Sequence, residues 1–77
     1  MADIELEKNG YGFRYFFDAG IDRITGACDR SGVTVYEKDR KGNWHYAGEI
    51  ANGMDTCDIE DLTDEELNDL LIEYGIF

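Results

Sequence analysis

The sequence predicts an α+β fold in which a small antiparallel sheet of three to four strands precedes one C-terminal helix. Two patterns support this prediction. Aromatic and β-branched residues alternate with other residues at a period of two in short segments between residues 11 and 50, and apolar residues recur every three or four positions from Leu67 to Tyr74. Short polar connections between the extended segments favour a meander. The chain has 77 residues, no Pro and no Gly/Ser tract, so we expect a single domain spanning 1–77.

Four extended segments are predicted, and the first is the clearest. In the segment from Tyr11 to Phe17, alternate residues are aromatic, so Tyr11, Phe13, Tyr15 and Phe17 share one face. Weaker alternation predicts a second strand at Ile21 to Ala27, and the polar run from Asp29 to Gly32 predicts a turn after it.

The third and fourth segments, Val33 to Lys38 and Trp44 to Ile50, predict a hairpin. They flank a five-residue polar loop, 39–43, in which Gly42 can adopt a positive φ. In the last strand, strict alternation would place Trp44, Tyr46, Gly48 and Ile50 on one face.

The helix is predicted from about Asp64 to Tyr74. Thr63 and Glu66 have the spacing of a capping box, in which each side chain accepts from the other residue's backbone N–H. Gly75 stands where a left-handed C-terminal cap is expected. The apolar stripe that would bury this helix consists of Leu67, Leu70, Leu71 and Tyr74.

The charge of the chain is strongly asymmetric. Eighteen acidic and seven basic residues give a net charge of −11; residues 1–41 hold eight acids and all seven bases, a net of −1, whereas residues 42–77 hold ten acids and no base, a net of −10. So few bases argue against direct nucleic-acid binding, and the net charge would repel anionic lipid. No run approaches the ~18 apolar residues of a membrane span, and the segment from Met1 to Glu5 has neither the basic residues nor the apolar run of a secretory signal, so we expect a cytoplasmic protein.

Candidate catalytic and metal sites do not assemble from the sequence, so we expect no enzyme and no cofactor. His45 is the one histidine and is expected to be a partly exposed strand residue. The window from Asp55 to Glu66 begins and ends as a calcium loop does, but it lacks the inner oxygen ligands and the glycine. Cys28 and Cys57 are expected to be reduced and buried, and with His45 they are one ligand short of a zinc site.

The remaining feature is a run of nine carboxylates without an intervening base. A solvated face that keeps the protein soluble would explain part of it, but solubility needs a net charge of only about 2 to 8 in magnitude. The alternative is a surface that binds a basic partner. The candidate partner-binding residues are Asp55, Asp58, Glu60, Asp61, Asp64, Glu65, Glu66, Asp69 and Glu73.

In size, charge and architecture the chain resembles the small acidic inhibitors of phages and mobile elements, including anti-CRISPR proteins and other nucleic-acid mimics. The resemblance implies a non-enzymatic inhibitor whose acidic face covers a basic, nucleic-acid-binding surface, such as that of a Cas protein, in the host cytoplasm. The alternative is an immunity, antitoxin or assembly protein that binds a basic partner or a second copy of itself. In that case the surplus aromatics would include interface anchors, with Phe16 as the best candidate because it breaks the alternation.

Overall fold

The computed structural model of the protein describes residues 3–18 and 30–77, and the fold is given for these residues. They form four strands and two short helices: β1 (Leu6–Lys8), β2 (Tyr11–Asp18), β3 (Arg30–Lys38), β4 (Trp44–Ile50), α1 (Thr56–Asp61) and α2 (Asp64–Glu73). The strands make one antiparallel sheet in the order β1-β2-β3-β4. An antiparallel sheet with helices belongs to the predicted α+β class.

The sheet begins with a short hairpin that the sequence prediction did not include. β1 pairs with β2 through a two-residue turn in which both Asn9 (φ 55°) and Gly10 (φ 82°) are left-handed. Two successive left-handed residues define the type I′ turn, whose twist suits adjacent antiparallel strands. The hairpin places Lys8, the last residue of β1, beside the helices.

The hairpin between β3 and β4 has the predicted 39–43 loop, with Gly42 at φ 85°. A bulge in β4 overturns the predicted alternation. Ile50 pairs with Val33 and Gly48 with Val35, but Tyr46 rather than Ala47 pairs with Tyr36. The extra residue turns Trp44 and Tyr46 to the opposite face from Gly48 and Ile50.

Two helices, rather than the one predicted, follow the sheet. The first, α1, starts with its own capping box: the Asp55 carboxylate accepts from the Asp58 N–H (2.9 Å), and the Asp58 carboxylate accepts from the Asp55 N–H (3.1 Å). At its other end the Lys8 ammonium donates to the carbonyl oxygens of Ile59 (3.1 Å) and Glu60 (2.8 Å) and to that of Leu62. This cation binds carbonyl oxygens at the negative end of the helix, of which that of Ile59 also accepts from the Leu62 N–H (3.2 Å).

The second helix, α2, has the predicted start and ends one residue before the predicted end. Thr63 and Glu66 form the capping box. At the C-terminus Gly75 (φ 71°) donates to the Ile72 carbonyl (3.0 Å) and Ile76 to the Leu71 carbonyl (2.9 Å), which is the Schellman pattern. The chain therefore folds back, and Ile76 packs over Gly48, where a Cβ atom would lie 2.8 Å from the Ile76 side chain.

The hydrophobic core lies between one face of the sheet and the helices. Phe13 is fully buried and Tyr11 half-buried, as their shared face predicts, whereas Tyr15 and Phe17 are exposed further along β2. The fully buried side chains are Phe13, Val33, Val35, Ile50, Ile59, Leu67 and Leu71.

Three further expectations differ from the structure or lie outside it. The predicted strand at 21–27 and Cys28 fall outside the described residues. Arg30, Ser31 and Gly32 belong to β3 and not to the predicted turn. Cys57 is a free thiol and is exposed on α1 rather than buried, because Ile59 is the residue that α1 directs into the core.

Candidate acidic interface

The nine candidate carboxylates are all on exposed residues of α1, α2 and the residue before α1. Five of them stand at helix starts, where the positive end of the helix dipole favours a negative charge. Asp55 and Asp58 form the capping box of α1, and Glu66 completes that of α2. Asp64 and Glu65 occupy the first turn of α2. Helix initiation alone therefore explains these five acids.

Hydrogen bonding at the start of α2 acts on the acidity of one of these groups. The Glu66 carboxylate accepts from the backbone N–H of Thr63 (2.9 Å), and the Thr63 hydroxyl accepts from the Glu66 N–H (3.2 Å). Two hydrogen bonds lower the pKa of Glu66: the one from the Thr63 backbone N–H contributes most, and the one with the Thr63 side chain contributes less. Glu66 consequently carries its charge throughout the neutral range.

The other four acids have no role in starting a helix. Glu60 and Asp61 are the last two residues of α1, Glu73 is the last residue of α2, and Asp69 lies in the middle of α2. The last turns of these two fully described helices contain no basic residue. A carboxylate at the C-terminal end faces the negative end of the dipole. Glu73 is therefore placed where helix electrostatics disfavour it, whereas the Lys8 ammonium at the end of α1 offsets the same effect for Glu60 and Asp61.

The carboxylates of α2 are concentrated on one side of the helix. At about 100° per residue, four of the five fall within an arc of roughly 100° that points away from the buried Leu67 and Leu71. They span about 12 Å of helix axis at ~1.5 Å per residue. We call this set the acidic stripe; it consists of Glu65, Glu66, Asp69 and Glu73.

None of the nine carboxylates forms an ion pair within residues 3–18 and 30–77, and Lys8 acts on the charge of Glu66 only from a longer distance. The ion pairs there belong to the sheet: Arg30 binds Glu49 and Asp18, and Lys38 lies near Glu7. The cation nearest α1, Lys8, is used on backbone carbonyls. The charges of the acidic stripe are therefore directed to solvent or to a partner.

An open groove of about 320 Å³ runs beside α2, and the sequence did not indicate it. Half-buried apolar side chains of Met54, Leu62 and Leu70 line it. Three residues of the acidic stripe complete the lining: Glu66, Asp69 and Glu73. The lining combines the segment before α1, the junction of the two helices and α2, and the position of α1 was not predicted.

The face of the sheet that points away from the helices carries aromatic side chains. Tyr46 is 64% exposed and packs edge to face with Tyr36 at 6.4 Å between ring centroids, and Lys38 lies over the Trp44 ring at 5.2 Å. Phe16, the predicted exposed anchor, is half-buried with the Arg30 guanidinium over its ring at 5.3 Å. Tyr46 is thus more exposed than Phe16, and the bulge in β4 brings Tyr46 to this face.

His45 lies apart from the acidic residues of the helices. Its ring nitrogen is 2.7 Å from the Asp39 carboxylate, which also accepts from the N–H groups of Lys41 and Asn43. These hydrogen bonds lower the pKa of Asp39 to about 2, and the bond with His45 contributes most. The contact fixes the hairpin loop.

The described part of the chain offers neither a metal site nor a membrane-spanning helix. There, no group of three or more His, Cys, Asp or Glu residues has the geometry to hold a metal ion. No helix among those residues has the length and apolar character needed to cross a membrane. Neither family models, nor curated proteins, nor solved structures give a match to this chain.

Proposed function

We propose that the protein is a non-enzymatic inhibitor whose acidic helices bind a basic surface of a partner protein, most simply the nucleic-acid-binding surface of a nucleic-acid-processing protein such as a Cas protein. Function would then follow from occupancy, with nucleic acid as the competitor and without turnover. The scaffold for this role is an antiparallel meander that presents α1 and α2 on one face.

The supporting observation is the placement of the four acids that the helix starts do not explain. Glu73 stands at a helix end where a negative charge is unfavourable, and Asp69 lies between like charges one turn away on each side. Glu60 and Asp61 end a helix whose cation, Lys8, bonds to backbone carbonyls and not to these two carboxylates. Solubility would be served equally by acids placed elsewhere on the surface. A charge kept at an unfavourable position is better explained by attraction to something outside the molecule.

The linear density of the stripe suits a site that normally holds nucleic acid. Its four carboxylates extend over about 12 Å, or one charge per roughly 4 Å of axis. A DNA strand carries one phosphate per about 3.4 Å of axis. A channel built to neutralise phosphates would therefore meet a similar charge density, and steering would raise the association rate.

The test is competition with nucleic acid at controlled salt. Candidate partners are captured on the immobilised protein at low ionic strength, eluted with a salt gradient and identified by mass spectrometry. The partner's nucleic-acid binding is then measured with increasing amounts of the inhibitor. We expect displacement at one-to-one stoichiometry and an affinity that falls steeply with salt.

A matched pair of variants separates site from net charge. The double variant Asp69→Asn with Glu73→Gln removes two charges from the stripe, and Asp3→Asn with Glu37→Gln removes two exposed charges from outside the helices. We expect the first to weaken inhibition at least tenfold and the second to leave it nearly unchanged. Equal effects would mean that only net charge matters, and the proposed surface would be wrong.

A second candidate function uses the open face of the sheet. The exposed Tyr46, with Tyr36 and Trp44 beside it, favours a protein contact through aromatic anchors, as in an immunity or assembly protein or a dimer of this chain. Tyr46→Ser would abolish such binding and leave binding through the acidic stripe intact. Sedimentation of the unmodified protein over a range of concentrations tests the dimer.

A further inference from the structure

The groove beside α2 differs in chemistry from the rest of the acidic surface. A phosphate mimic needs only charge on its face, yet here charge lies directly along an apolar depression. Met54 comes from the segment between β4 and α1, Leu62 from the junction of the helices and Leu70 from α2. All three are half-buried and pack against the core, so their positions are set by the fold.

We infer that this groove binds a cationic amphipathic segment of a protein partner, with an apolar side chain of the partner inserted between Met54, Leu62 and Leu70 and its Lys or Arg side chains against Asp69 and Glu73. The inference rests on the proposed function and specifies how the partner is recognised. Recognition would then depend on an apolar residue of the partner as well as on its positive charge.

Charge complementarity selects this occupant. Within residues 3–18 and 30–77 the groove's carboxylates have no ion-pair partner, so an anionic or neutral apolar segment would bury uncompensated charge. A purely cationic segment would leave the apolar lining exposed to water. A segment with an apolar side chain and flanking cations satisfies both parts, as amphipathic helices do in apolar grooves.

The volume of the groove sets the size of the insertion. About 320 Å³ that is open to solvent accommodates one or two aliphatic or aromatic side chains and leaves no room for a folded domain. Burying one Leu-sized side chain is expected to tighten binding about tenfold or more. The predicted contact is therefore a short segment on the surface of the partner.

Two synthetic peptides of about 14 residues, four helical turns, test the inference on the intact protein. Both carry the same number of Lys and Arg residues; one has Leu along a single helical face, and the other has Gln at those positions. Binding is measured by calorimetry at low and high salt. We expect the Leu peptide to bind about tenfold tighter and to lose less of its affinity at high salt.

The methyl resonance of Met54 gives a readout that needs no substitution. It is expected to shift on titration with the Leu peptide and to stay in place with the Gln peptide. Met54→Gln should reduce the Leu peptide's advantage, whereas Ile72→Gln, at an exposed apolar residue of α2 outside the groove lining, should preserve it. If Met54→Gln does not fold, the methyl shifts in the unmodified protein decide the question.

The possible outcomes separate this inference from the proposed function. Equal, salt-sensitive binding of both peptides without a Met54 shift would overturn the groove as a binding site and leave charge-based inhibition standing. Tighter binding of the Leu peptide with a Met54 shift supports the inference. If neither peptide binds, the inference is wrong, and the competition with nucleic acid on a captured partner decides the proposed function separately.

Discussion

Removal of one charge from the acidic stripe should make the protein more stable. Asp69 lies one helical turn from Glu65 and one turn from Glu73, so it forms two like-charge pairs at i,i+4. Each such pair on an exposed helix is unfavourable by about 0.2–0.5 kcal/mol. The substitution Asp69→Asn removes both pairs and changes helix propensity little, so the free energy of unfolding should rise by about 0.4–1 kcal/mol at low salt.

A control at the start of the same helix should respond in the opposite direction. Asp64 lies in the first turn of α2, where the helix dipole favours its charge. Asp64→Asn should therefore lower stability by a few tenths of a kcal/mol, although it removes the same charge from the same helix. Opposite signs for the two substitutions would show that position on α2, and not total charge, determines the effect.

Urea unfolding followed by circular dichroism is the appropriate assay, with each variant measured at two salt concentrations. At 0.01 M salt the Debye length is about 30 Å and the repulsion acts fully, whereas at 1 M it is about 3 Å and the advantage of Asp69→Asn should largely disappear. Thermal unfolding gives a second readout: for a gain of about 0.7 kcal/mol, the unfolding temperature should rise by roughly 3–6 °C at low salt.

The interpretation of the acidic stripe would be refuted if Asp69→Asn were neutral or destabilising at low salt. That result would mean that the carboxylates are already compensated or lie too far apart to interact. Stabilisation combined with weaker inhibition would instead show that stability has been exchanged for binding at this position, as is common at functional surfaces.

Three further predictions concern the scaffold. Lys8→Met removes the ammonium that donates to the carbonyls at the end of α1, so the free energy of unfolding, measured by urea titration, should fall by about 1–3 kcal/mol. The control Lys41→Met, in the hairpin loop, should change it by less than about 0.5 kcal/mol. Gly75→Ala places a Cβ at φ 71° and should cost about 1–2 kcal/mol, and unchanged stability would contradict the left-handed cap. His45→Ala should raise the pKa of Asp39 from about 2 toward 3.8, measured by NMR titration. Because the folded-state pKa lies below the unfolded value, the stabilisation linked to Asp39 is complete above about pH 4 and is lost as pH falls through about 2.

Local signals in the sequence were sufficient for α2, β2 and the hairpin between β3 and β4. In each case one short segment contains the whole pattern: the capping box and Gly75 delimit α2, and the 39–43 loop sets the pairing of its flanking strands. The prediction omitted β1, although the Asn-Gly pair at 9–10 is a strong hairpin signal. Three strand residues before that turn are too few to show alternation.

The features that could not be predicted depend on contacts between distant residues. A bulge is defined by the partner strand, so the face of Trp44 and Tyr46 was not available from their own alternation. The helix α1 is only six residues long and is held by Lys8, about fifty positions earlier in the chain. Its capping box was not predicted because Asp at both positions 55 and 58 departs from the usual pattern of Ser or Thr at the cap and Glu or Gln three residues later.

The placement of α1 also links stability to the proposed function. The Lys8 ammonium neutralises the C-terminal end of α1 by bonding to backbone carbonyls. It forms no bond with the exposed carboxylates of Glu60 and Asp61. A lysine bonded to the carboxylates themselves would have stabilised the helix and also cancelled the surface charge. Using it on the backbone holds α1 against β1, keeps Leu62 at the edge of the groove and preserves the negative charge that a basic partner would meet.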